Sequence, residues 1–201
     1  MKKINLIIIS LLLFSFLFSY ACIKSKENKA AEHFRDASKA IQAKNYDRGI
    51  EEYKKGLEIT PGNVSANFNL AYILDTQKNS FDEAVIYYRR AIEIDPKRYS
   101  FAYKNIGSLY YKKGDNDAAI AEYKKALKVI PNDSITHNDL GVAYFSKGML
   151  DEAIAEFEQA ARLDKYDPTP HRNMAKAYRV KGLEVKAFEE ETKTKNLEIQ
   201  P

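Results

Sequence analysis

Cys22 and three histidines are the side chains of this sequence with the clearest potential for nucleophilic or metal chemistry. The sequence repeats with a period of 34 or 35 residues, and His33, His137 and His171 fall in three different repeats. Neighbouring helices lie roughly 8–10 Å apart, whereas zinc ligands lie about 2 Å from the metal. We therefore expect no shared metal site. The sequence has no serine nucleophile motif and no phosphate-binding loop, so we expect no catalytic residues, no cofactor and no enzyme activity.

Cys22 is the one cysteine of the sequence, so it cannot form an internal disulfide. Its position in the chain is what indicates its role. Lys2 and Lys3 give the chain a positive start. An almost continuously apolar run then extends from residue 4 to residue 20, and small Ala21 precedes the cysteine. Charge, apolar run and small residue together predict a secretory signal over residues 1–21.

The end of this signal, Ser19-Tyr20-Ala21-Cys22, resembles that of bacterial lipoproteins. The resemblance implies that Cys22 becomes the first residue and carries the lipid. Each buried CH₂ contributes roughly 0.8 kcal/mol, so several alkyl chains would anchor the protein stably. Two alternatives remain open: an uncleaved membrane helix, and a cleaved signal without lipid. All three place the body of the protein outside the cytoplasm.

Residues 22–29 are expected to form the lipidated cysteine and a short, lysine-rich polar tether. A tether of this length would hold the following repeats close to a membrane. Ile23, the residue after the cysteine, is not the aspartate that retains some lipoproteins at the inner membrane. We therefore expect a location in the bacterial cell envelope, with the outer membrane or the periplasmic face favoured.

The charge balance argues against nucleic acid as a partner. The formal charge is +4, and removal of Lys2 and Lys3 with the signal would leave about +2. Positive and negative residues alternate along the chain instead of forming a basic stretch. A net positive charge this small does not predict binding to a polyanion.

A small residue followed four positions later by an aromatic one recurs through the chain, and a proline closes each of the first three repeats. The pairs are Gly49 and Tyr53, Ala84 and Tyr88, Ala119 and Tyr123, and Ala153 and Phe157; the prolines are Pro61, Pro96 and Pro131. A fixed period of this length indicates a stacked array of one supersecondary unit. Such arrays present long binding surfaces.

Each repeat is expected to contain two helices. In the third, Tyr103, Ile106, Gly107 and Tyr110 share one face of the first helix. Gly114 should end that helix, because glycine tolerates the left-handed conformation. Asp117, like Asp47, Asp82 and Asp151 in other repeats, is expected to cap the second helix. Tyr123 should fill the space between the two helices.

These residues resemble the tetratricopeptide repeat over residues 30–199. The resemblance implies an all-α fold: a right-handed superhelical solenoid of about five tetratricopeptide-like helix pairs. The repeats are placed near 30–63, 64–99, 100–133, 134–167 and 168–199. It also implies that the first helix of each pair lines a concave groove in which a peptide or protein segment docks.

The helical phase of this family selects the residues that should face the groove. They are Asn69, Tyr72, Lys104, Asn105, Tyr111, Asn138, Asp139, Arg172, Asn173, Lys176 and Arg179, with Phe34, Arg35 and Phe145 in the same phase. Amide side chains both donate and accept, so they could bind a peptide backbone of any sequence. Arg172, Lys176 and Arg179 share a helix face and favour an acidic partner, although an ordinary solvated face is the alternative.

The function expected from these features is that of a lipid-anchored envelope adaptor or scaffold, which binds a partner protein or peptide in its groove and the membrane through the lipid on Cys22. The alternative is a surface-exposed lipoprotein that contacts host or environmental ligands.

Overall fold

The computed structural model describes residues 2–199, with side chains from residue 13 onward. These residues form ten helices and no strand, which confirms the predicted all-α class. The helices are α1 (Lys2–Gln42), α2 (Tyr46–Ile59), α3 (Val64–Thr76), α4 (Phe81–Ile94), α5 (Phe101–Lys112), α6 (Asn116–Val129), α7 (Ser134–Ser146), α8 (Leu150–Leu163), α9 (Thr169–Val180) and α10 (Glu184–Ile199).

The chain divides into two compact units, Met1–Ile94 and Asp95–Pro201. In unit 1, α1 packs on α2, α3 packs on α4, and α2 contacts α3. In unit 2, the helix pairs are α5 with α6, α7 with α8, and α9 with α10. The first helices of these three pairs, α5, α7 and α9, also contact one another in order. This second set of contacts creates the surface considered below.

Helix α1 continues without a break through Cys22 and through residues 22–29, so the segment expected to be a tether is helical. The Cys22 thiol is exposed. The side chains of Lys2 and Lys3, which begin the predicted signal, lie outside the described residues. From Ala30 onward α1 buries small residues against α2, including Ala37 and Ala40. In the described part of the chain, no helix combines the length and the hydropathy required to cross a bilayer.

Glycine in one helix and an aromatic ring in its partner allow the helices of a pair to approach closely. A Cβ atom built on Gly107 would lie 2.7 Å from the ring of Tyr123. The same atom on Gly141 would lie 2.6 Å from the ring of Phe157. Tyr123 and Phe157 are almost fully buried, which confirms that an aromatic side chain fills the space between the paired helices.

The turn within each helix pair contains one residue in the left-handed region. These residues are Lys44, Asn79, Gly114, Gly148 and Gly182, with φ values of 59°, 51°, 82°, 75° and 72°. Helix α5 ends at Lys112, two residues before Gly114, as the sequence predicts. The turn therefore keeps one backbone geometry whether glycine or another residue occupies it.

The aspartates expected to cap the second helices do not do so. Asp115 caps α6 by accepting a hydrogen bond from the amide of Ala118, and Asp117 lies inside the first turn. Asp117 instead forms an ion pair with Lys147 of the following repeat. Asp47 and Asp151 form equivalent pairs with Lys78 and Lys181, which link consecutive repeats within each unit. The prediction was wrong because the helix begins two residues earlier than the pattern indicates.

Candidate peptide-binding groove

The first helices of unit 2 present a continuous stripe of side chains at spacings of three and four residues, which we call the unit 2 groove. It consists of Lys104, Ser108 and Tyr111 on α5, Asp139, Val142 and Ser146 on α7, and Asn173 and Lys176 on α9. Residues at these spacings lie on one face of a helix. Because α5, α7 and α9 are adjacent, the three short stripes lie side by side.

A cavity of about 240 Å³ lies in this groove. Its lining residues are Tyr111, Val142, Phe145, Ser146, Phe157, Asn173 and Lys176. Four of them supply an apolar or aromatic wall, and the others supply a hydroxyl, an amide and an ammonium group. Mostly apolar lining with a few polar groups is typical of a binding site.

Polar side chains connect the helices around this cavity. The hydroxyls of Tyr111 and Ser146 share a hydrogen bond of 3.1 Å between α5 and α7. The amide of Asn173 donates to the side-chain oxygen of Asn138 at 2.9 Å, between α9 and α7. These two asparagines therefore satisfy part of each other's hydrogen-bonding capacity.

Asp139 is a half-buried carboxylate on the groove face of α7. Burial raises its pKa from 3.8 to about 6, an effect that Lys104 opposes and Asp133 reinforces. The ammonium of Lys104 lies 4.0 Å from the carboxylate of Asp133. Within the described part of the chain, Asp139 itself makes no hydrogen bond or ion pair.

The basic residues predicted on α9 are partly neutralised by α10. Arg172 pairs with Glu198, and Arg179 pairs with Glu191 at 2.5 Å and more loosely with Glu184. Lys176 lies between them on the helix and, among the described residues, has no ion-pair partner. A second cavity, of about 400 Å³, lies over this face and is lined by Arg172, Ala175, Lys176, Arg179, Glu191, Thr194, Lys195 and Glu198.

Four of the residues in the predicted groove phase belong to unit 1: Phe34, Arg35, Asn69 and Tyr72. The amide of Asn69 lies 3.4 Å from the hydroxyl of Tyr53, and the side chain of Tyr72 is exposed. Phe34 does not face a groove, because its ring packs on Tyr53 and would collide with a Cβ at Gly56. In unit 2, Asn105 is half-buried on α5. Within unit 2, the structure thus brings Tyr111, Asn173 and Lys176 together around one cavity.

The histidines occupy equivalent positions in three repeats, and each contacts a glutamate nineteen residues later. The Nδ1 atoms of His33, His137 and His171 lie 2.6, 2.6 and 2.5 Å from Glu52, Glu156 and Glu190. Each pair links the first helix of a repeat to its second helix. Among the described residues, no three potential ligands are grouped as a metal site would require.

Sequence reasoning missed three residues that line the cavity: Val142, Ser146 and Phe157. Val142 and Ser146 could have been found by extending the groove phase of Asp139 along α7. Phe157 could not, because its position in the repeat identifies it as a core residue, and it does fill the core. Its ring reaches the cavity because Gly141 leaves room above it.

Five helix pairs with one packing pattern define this chain as an α-helical repeat protein. Models of the tetratricopeptide repeat match residues 64–98, and models described as TPR repeat match residues 107–148 and 143–182. Together these matches span more than half of the chain. The chain therefore belongs to the tetratricopeptide repeat family. No curated protein sequence matches it.

Solved structures show the same fold. MamA superposes with a TM-score of 0.78 at 23% identity, over 85% of this chain and 92% of MamA. YrrB, described as a TPR protein with an unusual peptide-binding site, has a TM-score of 0.72 at 21% identity, over 90% of this chain and 91% of YrrB. The pilF protein of Pseudomonas aeruginosa has a TM-score of 0.67 at 20% identity, over 88% of this chain and 80% of that one. At these identities the similarity establishes the fold alone.

Proposed function

We propose that this protein is a non-enzymatic, lipid-anchored adaptor of the bacterial cell envelope, and that it holds a segment of a partner protein in the unit 2 groove. The observation that carries the proposal is the cavity whose wall joins Val142 and Phe145 to Asn173 and Lys176. An extended peptide could place one apolar side chain in it and pair its backbone with the adjacent amides. The peptide-binding site attributed to YrrB supports a groove of this kind.

The charge of the groove supports a protein segment rather than nucleic acid as the ligand. Arg172 and Arg179 are paired with α10, so Lys176 is, of these three basic residues on α9, the one without an ion-pair partner among the described residues and able to meet an acidic side chain or a terminal carboxylate. A single exposed ammonium group is suited to one carboxylate. A polyanion requires many such contacts.

The lipid anchor is proposed from Cys22 and the apolar run before it, with the outer membrane or the periplasmic face as its location. The exposed thiol of Cys22 is accessible to modification. Because α1 is helical from Cys22 to the buried Ala30, the anchor would be about 12 Å from the repeats at the usual helical rise. The partner would thus be held close to the membrane.

The groove proposal is tested by comparing the wild type with an Asn173→Ala, Lys176→Ala double variant. Capture of the partner after crosslinking in cells should fall strongly in the double variant. Lys128→Ala, which removes an exposed lysine from α6, is the matched control and should capture normally. Undiminished capture by the double variant would exclude the groove as the binding site. Protease treatment of intact cells tests the alternative, since rapid loss of the protein would indicate surface display.

A further inference from the structure

Asp139 differs from its equivalents in the neighbouring repeats in a way that changes what the groove can bind. Asn105 on α5 and Asn173 on α9 occupy the same position of their helices, where an amide can both donate and accept. An ionised carboxylate only accepts and carries a negative charge. At this position the groove therefore presents a carboxylate on α7, between the amide side chains on α5 and α9.

Among the residues that the structure describes, no cation contacts the carboxylate of Asp139. The positive charge of Lys104 acts on Asp139, but the ammonium of Lys104 lies 4.0 Å from the carboxylate of Asp133. Asp133 is itself negative. The hydroxyl of Tyr123, on α6, shares a hydrogen bond of 3.2 Å with the hydroxyl of Ser108. Asp139 is half-buried, and partial burial of a carboxylate without a partner has a cost that a ligand cation would reduce.

The cavity lies one helical turn from Asp139. Val142 follows Asp139 by three residues on α7 and forms part of the cavity wall, and Lys176 lies on the adjacent helix α9. Adjacent helix axes are about 8–10 Å apart, and an extended peptide spans about 3.3 Å per residue. A segment two or three residues long could therefore reach from Asp139 across the cavity to Lys176.

We propose that Asp139 is a specificity-determining residue that accepts a lysine or arginine side chain of the bound segment, next to an apolar side chain in the cavity. The bound segment then has a defined polarity, with its basic residue at α7 and its acidic group at Lys176 on α9. This inference rests on the proposed function, because it assumes that the unit 2 groove binds a peptide.

The test uses a library of random peptides displayed on phage and selected on the wild-type protein. Selected peptides should share a basic residue at a fixed short distance from an apolar one. Selection on Asp139→Asn should keep the apolar preference and lose the basic one. Asparagine occupies the equivalent position twice in this unit, so the variant should fold. Glu152→Gln, which removes an exposed carboxylate from α8, is the control and should select the wild-type pattern.

A double-mutant cycle then measures the contact directly. Replacing the basic residue of a selected peptide with glutamine should weaken binding to the wild type by about tenfold or more, and should change binding to Asp139→Asn much less. Equal weakening in both proteins, or selected peptides without a shared basic residue, would overturn the role of Asp139 while leaving the groove intact. Failure of the wild type to select any peptide would overturn the proposed function itself.

Discussion

At the residue scale, the spacing of small and aromatic residues determines how closely the helices of a pair can pack. Gly107 faces the ring of Tyr123, and Gly141 faces the ring of Phe157. These contacts could be predicted from the sequence, since glycine and the aromatic ring recur at fixed positions. The environment of Asp139 could not be predicted, because it depends on side chains of other parts of the fold, such as Lys104 on α5.

Adding a methyl group at these glycines should destabilise the fold. Gly107→Ala and Gly141→Ala place a Cβ within 2.7 Å of a buried ring, and such overpacking costs about 1–3 kcal/mol, partly offset by the helix propensity of alanine. Urea denaturation should show a lower midpoint for both variants. Gly62→Ala is the control, because nothing lies within 4 Å of its Cβ and its φ is not positive. Equal midpoints for all three variants would argue against the close approach.

The stability of the protein should depend on the ionisation of Asp139. Its folded pKa of about 6 lies above the ordinary value of 3.8, so its stabilising contribution is complete below pH 4 and is lost as the pH rises through 6. Asp139→Asn should therefore be more stable than the wild type at pH 7.5, by about 1–2 kcal/mol, with little difference at pH 3.5. Lys104, Asp133 and Tyr123 are present in both proteins, so their effects largely cancel in the comparison. A difference that does not vary with pH would contradict the burial of this carboxylate.

At the scale of elements, the helices and their turns follow from the repeat, whereas the caps and ion pairs do not. The predicted caps were placed at Asp117 and its equivalents, but the helices begin earlier and these aspartates pair with lysines of the next repeat. Helix phase likewise predicts that Arg172 and Arg179 face the groove. It does not reveal that the long side chains of Glu191 and Glu198, on the last helix, reach them.

The turns between paired helices provide an element-scale prediction. Gly114 has a φ of 82° and Lys44 has a φ of 59° at the same position of two repeats. Gly114→Ala should destabilise the protein by about 1 kcal/mol, since a side chain is disfavoured in the left-handed region. Lys44→Gly should have the opposite effect or none, because relief of this strain competes with the greater freedom of glycine in the unfolded chain. Thermal unfolding followed by circular dichroism measures both. A large loss of stability in Lys44→Gly would contradict the shared turn geometry.

At the scale of the whole molecule, the proposed adaptor requires both a binding surface and an anchor. The family and the fold could be predicted from residues 30–199, and the family models and solved structures confirm them. The anchor stays a prediction from residues 1–22, because the lipid is a chemical modification that a fold does not reveal.

The anchor is tested by metabolic labelling with a fatty acid that carries an alkyne group. The wild-type protein should take up the label and sediment with membranes. Cys22→Ser should do neither, and Ser19→Ala, a substitution in the same segment that keeps the cysteine, should behave as the wild type. Equal labelling of the wild type and Cys22→Ser would place the lipid on another residue. No labelling of the wild type would show that there is no lipid.

The central claim is that the unit 2 groove holds a partner while the protein remains at the membrane. The most direct measurement places a photo-crosslinking residue at Ser146, at the cavity, and in a second variant at Lys128 on α6, in living cells. The account predicts one recurring adduct from position 146, its loss when Lys176→Ala is added, and no such adduct from position 128. The same adducts from both positions, or none from position 146, would contradict it.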